Sequence, residues 1–194
     1  MRIGDEVPES ANVTVVDTVT VVDTGRLAHP ITLRHRLLNL IYPWAMWVRN
    51  PLRHRLGHKS IGVCAIVTDD NDRVLLVKHS YRPGWCLPGG GLKRGETPLA
   101  TLARELREEV GLELIAPPRL LQVYLHDWFG MADYPILFVV DGTICTRGTA
   151  HIADRLELIE IGWFPVRDLP TGTDASVQLR IAEWLGEQSL AERW

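Results

Sequence analysis

Cysteine is scarce in this chain. Its 194 residues hold three, Cys64, Cys86 and Cys145. Their spacing is not that of a zinc site, and an odd, sparse set argues against a disulfide framework and for a reducing, cytoplasmic setting. A large charge excess is also missing. Lys and Arg number 21 against 24 Asp and Glu, and the net charge of -3 is too small to draw the whole chain toward nucleic acid or an anionic membrane. No apolar run reaches the ~20 residues that a bilayer span requires. The opening MRIGDEVPES has neither the basic start nor the apolar core of a secretory signal. Repeats are confined to one tandem hexapeptide, VTVVDT at 13–18 and again at 19–24, and two copies are too few for a solenoid. What is present is ordinary for a folded domain: 46% apolar and 23% charged residues, in a chain long enough for one full core plus an extension.

Three zones follow from the pattern. Residues 1–25 form a tail whose alternating Val and Thr suit an edge strand. Residues 26–59 form a basic amphipathic arm. Its centre, Leu37 to Val48, is flanked by Arg34, Arg36, Arg49, Arg53, Arg55 and Lys59, and is interrupted by Asn39 and Pro43. With Trp44 and Trp47 such a segment suits the surface of an anionic membrane; the same pattern suits an arm packed on the domain or across a homodimer. Residues 60–194 read as a compact α+β domain. Strands are expected at 61–69, 73–79, 85–88, 119–127, 134–142 and 157–165. A C-terminal helix capped by Asp174 would place Val177, Ile181, Trp184 and Leu185 on one face.

The chemistry concentrates at GETPLATLARELREEVGL, residues 95–112. Thr97 is a good N-cap, Pro98 is at home in the first turn, and Gly111 can end the helix in the left-handed conformation. Leu99, Leu102, Ala103, Leu106 and Val110 recur at helical spacing and are the expected buried stripe. Glu105, Glu108 and Glu109 stand at i, i+3 and i+4, where like charges repel. Arg104 and Arg107 offset part of this. A divalent cation offsets more, and hard ions such as Mg²⁺, or Mn²⁺ in its place, prefer carboxylate oxygens and are commonly held together with phosphates. Gly89, Gly90 and Gly91 lead into the helix as a loop whose backbone can approach a ligand closely.

The spacing is more specific than the composition. GGLKRGETPLATLARELREEVGL, from Gly90 to Leu112, resembles the Nudix box: Gly, five residues, Glu, seven residues, then Arg-Glu-apolar-any-Glu-Glu-any-Gly-apolar. Gly90, Glu96, Arg104, Glu105, Leu106, Glu108, Glu109, Gly111 and Leu112 fill its fixed positions. LLVKHSYRPGWCLPGGG and WFPVRDLP also look like parts of that family. The resemblance runs from about Ser60 to the C-terminus and leaves out roughly the first 55 residues. It implies a mixed sheet between helices and the hydrolysis of a nucleoside diphosphate linked to another group. By position it makes Glu108, Glu109 and the Gly89 carbonyl metal ligands, and Glu105 a further ligand or the base. Arg104 would orient that set and Glu96 would brace it. The substrates implied are nucleoside triphosphates, nucleotide sugars, ADP-ribose or dinucleoside polyphosphates, with no nucleic acid expected.

Some relatives take an extra base or ligand from outside the box. Asp154, Glu157 and Glu160 are candidates, with Asp127 and Asp133 as others. Tyr81, Arg82, Trp85, Trp128 and Phe129 are candidates for substrate contact, Arg82 first because a guanidinium suits phosphate, and Gly90 and Gly91 through their backbone. Trp85 and Phe129 read better as packing residues, and His79 and His126 as structural histidines. The downstream proline of ADP-ribose hydrolases and the Phe-Pro-Gly-Gly of coenzyme A hydrolases are missing; HDWFG stands near the first place, and Leu87 precedes Pro88 in the second. The alternative function is a non-catalytic Nudix module that senses a nucleotide or scaffolds a partner. Such modules typically lose box carboxylates, and here all three are present.

Overall fold

The computed structural model describes residues 59–128 and 131–194, with 15–16, 19–22, 26–28 and Leu33 of the N-terminal region. Most of the basic arm, including Trp44 and Trp47, lies outside the described residues, as does Phe129.

Twelve strands and three helices are described. The strands are β1 (Val15–Val16), β2 (Val19–Val22), β3 (Arg26–Ala28), β4 (Ser60–Thr68), β5 (Arg73–His79), β6 (Gly89–Gly91), β7 (Glu113–Leu114), β8 (Arg119–Val123), β9 (His126–Trp128), β10 (Met131–Asp141), β11 (Thr146–Arg147) and β12 (Leu158–Pro165). The helices are α1 (Pro98–Val110), α2 (Gly142–Cys145) and α3 (Ala175–Trp184). The main sheet runs β1-β2-β3-β12-β5-β4-β10-β8, with β6 added to β4 and β9 to β10. β4 and β10 are parallel, Ile61 beside Tyr134 through Thr68 beside Asp141, and the other pairings are antiparallel.

The central strands are apolar on both faces because both faces are covered. Val63, Ala65 and Val67 of β4 pack with Leu75 and Val77 of β5 against Leu102, Leu106 and Val110 of α1. Their neighbours Ile66, Val74 and Leu76 face the other way, toward Val177 and Ile181 of α3. The result is a mixed sheet between helices. Val177 and Ile181 are buried, with Trp184 and Leu185 packed against that core, as the helical spacing requires.

Three sequence expectations change. Leu99, placed in the buried stripe of α1, is 44% exposed; the covered face is Thr101, Leu102, Leu106, Glu109 and Val110. Leu99 lies in the first turn, directly after Pro98, the first residue of the helix. The glycines expected as a loop form β6, with Gly89 beside Cys64, Gly90 beside Val63 and Gly91 beside Gly62. Instead of a full strand at 85–88, Trp85 and Cys86 make single bridges to Thr173 and Val77. The glycine backbone is therefore held in register on a core strand, which fixes it relative to α1.

Candidate active site

The box helix is anchored at both ends. Thr97 Oγ1 accepts the Ala100 N–H at 3.2 Å. Gly111 closes the C-terminus at φ 68°, and its N–H donates to the Arg107 carbonyl at 3.3 Å. The chain after α2 is tied back to this end: His151 N–H donates to the Val110 carbonyl and Ala153 N–H to the Glu109 carbonyl, each at 3.0 Å. Those two bonds carry Asp154 and Glu157 toward the carboxylates of α1.

Arg104 is the hub. Its Nε and Nη2 donate to the two oxygens of Glu96 at 2.8 and 3.0 Å, and Nη1 donates to Glu105 at 2.7 Å and Glu108 at 3.1 Å. Nη2 also reaches the Gly91 carbonyl at 3.2 Å, joining helix to β6. A planar guanidinium can hold this many acceptors in fixed directions. Glu96 further accepts from Thr101 Oγ1 at 2.9 Å and Lys93 N–H at 3.0 Å. The Arg104 bond, with the Lys93 N–H beside it, holds the Glu96 carboxyl down to about 2. A carboxylate depressed in the folded state stabilises the fold above its ordinary value of 4.5, and that contribution disappears as pH falls toward 2. Glu96→Gln is therefore expected to be less stable than the parent at neutral pH and to show a shallower loss of stability between pH 4.5 and 2, read by tryptophan fluorescence in a denaturant series at each pH.

Glu109 is the residue that points to a cation. It is 3% exposed and accepts one hydrogen bond, from the Gly89 N–H at 2.8 Å. No arginine or lysine among the described residues pairs with it. Burial pushes its carboxyl well above the usual range, and the charges of Glu105, Glu157 and Asp154 push it further. Glu105 is raised by burial as well, with Glu157 and Glu108 adding to the shift and Arg104 opposing it. Glu108 lies at the exposed rim with Lys93 Nζ 3.8 Å away. A buried anion with no cationic partner among the described residues, and three further carboxylates beside it, make a donor set that fits a hard divalent ion.

Of the outside acids, the structure brings Glu157 and Asp154 to the box carboxylates. Glu160 is held instead by Arg26 and by Lys78 at 3.6 Å, and Asp133 is bonded to Ser60. His79, set aside as structural from the sequence, joins the site. Its ring, with Glu109 and Glu157, offers ligand atoms that all lie within 4.8 Å of one another. Burial, with Arg82 nearby, lowers the His79 pKa to about 4. The signal that could have found it was strand pairing, since β5 and β12 set His79 opposite Leu158, next to Glu157. His126 stands elsewhere, 3.9 Å from Asp133.

Arg82 is exposed, 3.5 Å from Asp174, at the edge of a groove of about 310 Å³ lined by Lys78, Pro83, Gly84, Trp85, Gly172 and Asp174 among others. Trp85 is 2% exposed and meets Phe164 edge-on at 4.9 Å, so it is a packing residue. A larger cleft of about 470 Å³ between the segment 166–172 and α3 is lined by none of the box residues.

The three glycines are not equivalent. A Cβ on Gly89, whose φ is 147°, would come within 2.2 Å of the Val63 carbonyl oxygen. On Gly90 it would meet Glu105 Oε1 at 2.3 Å, while on Gly91 it would meet nothing within 4 Å. Gly89→Ala is expected to destabilise the fold by about 2 kcal/mol or more, and Gly91→Ala by less than about 0.5 kcal/mol. Gly90→Ala displaces the Glu105 carboxylate and should lower activity about 10²-fold. Urea denaturation and initial rates separate the three.

Comparison with known proteins identifies the family and the fold. The NUDIX domain family model matches residues 58–185. The 8-oxo-dGDP phosphatase NUDT18 of Mus musculus is 33% identical over 124 residues, which are 62% of this chain and 37% of that protein. The RNA pyrophosphohydrolase of Halorhodospira halophila is 51% identical over 47 residues, 24% of this chain and 26% of that protein. Among solved structures, a MutT NUDIX hydrolase from Burkholderia pseudomallei is similar at a TM-score of 0.58 and 25% identity, covering 69% of this chain and 99% of that one. The fold and the box helix thus define an α+β domain of known type. The chain belongs to the Nudix family. It spans between a quarter and two fifths of the length of those curated relatives, 26% and 37%.

Proposed function

We propose that this protein is a Mg²⁺-dependent pyrophosphohydrolase that cleaves the phosphoanhydride linkage of a nucleoside diphosphate derivative, with Mn²⁺ able to replace Mg²⁺. The observation that carries the reading is Glu109, a buried carboxylate with one N–H donor, three acidic neighbours and no cationic partner among the described residues. Glu108, Glu109 and the Gly89 carbonyl would hold the ion, with Glu105 beside them. A divalent ion bound there supplies charge to the phosphate oxygens and makes the attacking water more acidic.

The chain supplies the rest. Glu105, with Oε1 held by Arg104, accepts the proton of the water at its other oxygen; its raised pKa suits a base. Arg104 fixes the spacing of Glu96, Glu105 and Glu108 and ties them to β6. Gly90 and Gly91 offer backbone close to the phosphates, and Arg82 meets the outer part of the substrate. Such chemistry is mostly positioning and charge stabilisation.

The relatives' names add 8-oxo-dGDP and RNA to a panel of nucleoside triphosphates, nucleotide sugars, ADP-ribose and dinucleoside polyphosphates. Chromatography of the products after incubation with Mg²⁺ is the test. Cleavage of one small-molecule class that stops in EDTA supports the reading. Cleavage of RNA alone replaces the substrate class. No cleavage of any member favours a module that senses a nucleotide or scaffolds a partner. No helix among the described residues is long and apolar enough to cross a membrane. A cytoplasmic place with peripheral membrane contact through residues 30–59, or a homodimer contact there, is the corresponding proposal. Liposome sedimentation of the full chain against a form lacking residues 1–56 tests the first, and equal pelleting of both rejects it.

A further inference from the structure

The centre contains one group that an all-oxygen Mg²⁺ site does not need. His79 is 6% exposed, and its Nδ1 is buried without a hydrogen-bond partner. A buried ring nitrogen left unpaired is uncommon. It faces Glu157 Oε1 at 3.9 Å, too far for a hydrogen bond. Two ligands that each lie about 2.1 Å from one ion are roughly 3.0 Å apart when adjacent and 4.2 Å when opposite. The observed gap lies within that range. Glu109 completes the group, with ligand atoms of all three residues within 4.8 Å of one another.

The arrangement is held by regular structure. His79 ends β5 opposite Leu158 of β12, and Ser80 N–H donates to the Glu157 carbonyl at 2.8 Å. Ser80 Oγ donates to the Leu156 carbonyl at 3.1 Å. Tyr81 serves both partners: its hydroxyl donates to Glu157 Oε1 at 2.7 Å, and its ring packs on the imidazole with centroids 5.0 Å apart. Partners that orient a ligand in this way are characteristic of metal centres.

We propose that His79 is a direct ligand of the cation held at Glu109 and Glu157, and that this nitrogen makes the centre favour Mn²⁺ and later first-row ions over Mg²⁺. Imidazole suits those ions, whereas Mg²⁺ selects oxygen. The inference rests on the reading that Glu109 binds a divalent ion, and adds the identity of a ligand and a metal preference to it.

The test uses Mn²⁺ as the probe on the full chain, without substrate. Electron spin-echo modulation of bound Mn²⁺ should show coupling to ¹⁴N, replaced by the ¹⁵N pattern when histidine is isotopically labelled. His79→Gln should abolish the coupling and weaken Mn²⁺ binding by about tenfold or more, with a smaller effect on Mg²⁺. If His79→Gln does not fold, the labelled parent still shows whether imidazole is bound, and Glu157→Gln, at a half-exposed position, should weaken Mn²⁺ while His126→Gln and His151→Gln leave the coupling intact. Mn²⁺ bound in the parent and lost in Glu109→Gln, yet with no nitrogen coupling, overturns the assignment of His79 and leaves the cation site standing. Coupling that persists in folded His79→Gln overturns it as well. Absence of Mn²⁺ and Mg²⁺ binding in the parent overturns both this inference and the function on which it rests.

Discussion

Glu109→Gln is expected to lower Mg²⁺-dependent hydrolysis by about 10³-fold while making the metal-free protein more stable. The two effects have one cause. Glutamine is nearly isosteric and can still accept the Gly89 N–H, so the packing against Gly89 survives. What it removes is a buried negative charge with Glu105, Glu157 and Asp154 around it. Because burial raises the Glu109 pKa, the folded state binds its proton more readily than the unfolded state. The contribution of Glu109 to the parent's stability in EDTA is therefore fullest below the ordinary carboxylate range and falls as pH rises through the raised folded value. The variant lacks that decline. At neutral pH in EDTA its melting temperature should exceed the parent's by a few degrees, since each kcal/mol relieved is about 2–4 °C for a domain of this size. Added Mg²⁺ should raise the parent and leave the variant unchanged, because only the parent gains binding free energy. Calorimetry in EDTA and in Mg²⁺ reads all four values. A variant less stable than the parent in EDTA would show that Glu109 is a structural buried acid.

Arg104→Lys should be nearly as damaging to activity and opposite in stability. One lysine ammonium cannot reproduce the fork that joins Glu96, Glu105, Glu108 and the Gly91 carbonyl. Without it Glu105 and Glu108 repel across one helical turn, and of the two ties between β6 and α1 only the Gly89 N–H to Glu109 bond remains. A loss of about 10²-fold in kcat is expected from misplaced carboxylates, with a lower melting temperature in EDTA. Steady-state kinetics with the substrate found by the panel, alongside the same calorimetry, checks both. Arg104→Lys with unchanged kcat would remove Arg104 from the positioning role.

The box helix was legible because its signals are local. The cap at Thr97, the stop at Gly111 and the i, i+3, i+4 carboxylates are fixed by neighbours in sequence, and the structure places them as read. Leu99 departs from the pattern because helical spacing gives a face but not how much of that face the rest of the domain covers. The glycines have the sequence character of a loop because a strand of glycine has no side-chain pattern; only pairing with β4 defines it. His79 and Glu157 are 78 positions apart and meet through the β5–β12 register, which no local pattern encodes. The same holds for Glu157 among five outside acids: backbone bonds from 151 and 153 to the end of α1 select it.

The most direct test of the central claim is an equilibrium titration of Mg²⁺ and Mn²⁺ into metal-free parent and Glu109→Gln, without substrate. Saturable binding by the parent, lost or weakened at least a hundredfold in the variant, is the predicted result. Equal binding by both proteins would contradict the account, because the carboxylates of α1 would then be gathered for something other than a cation.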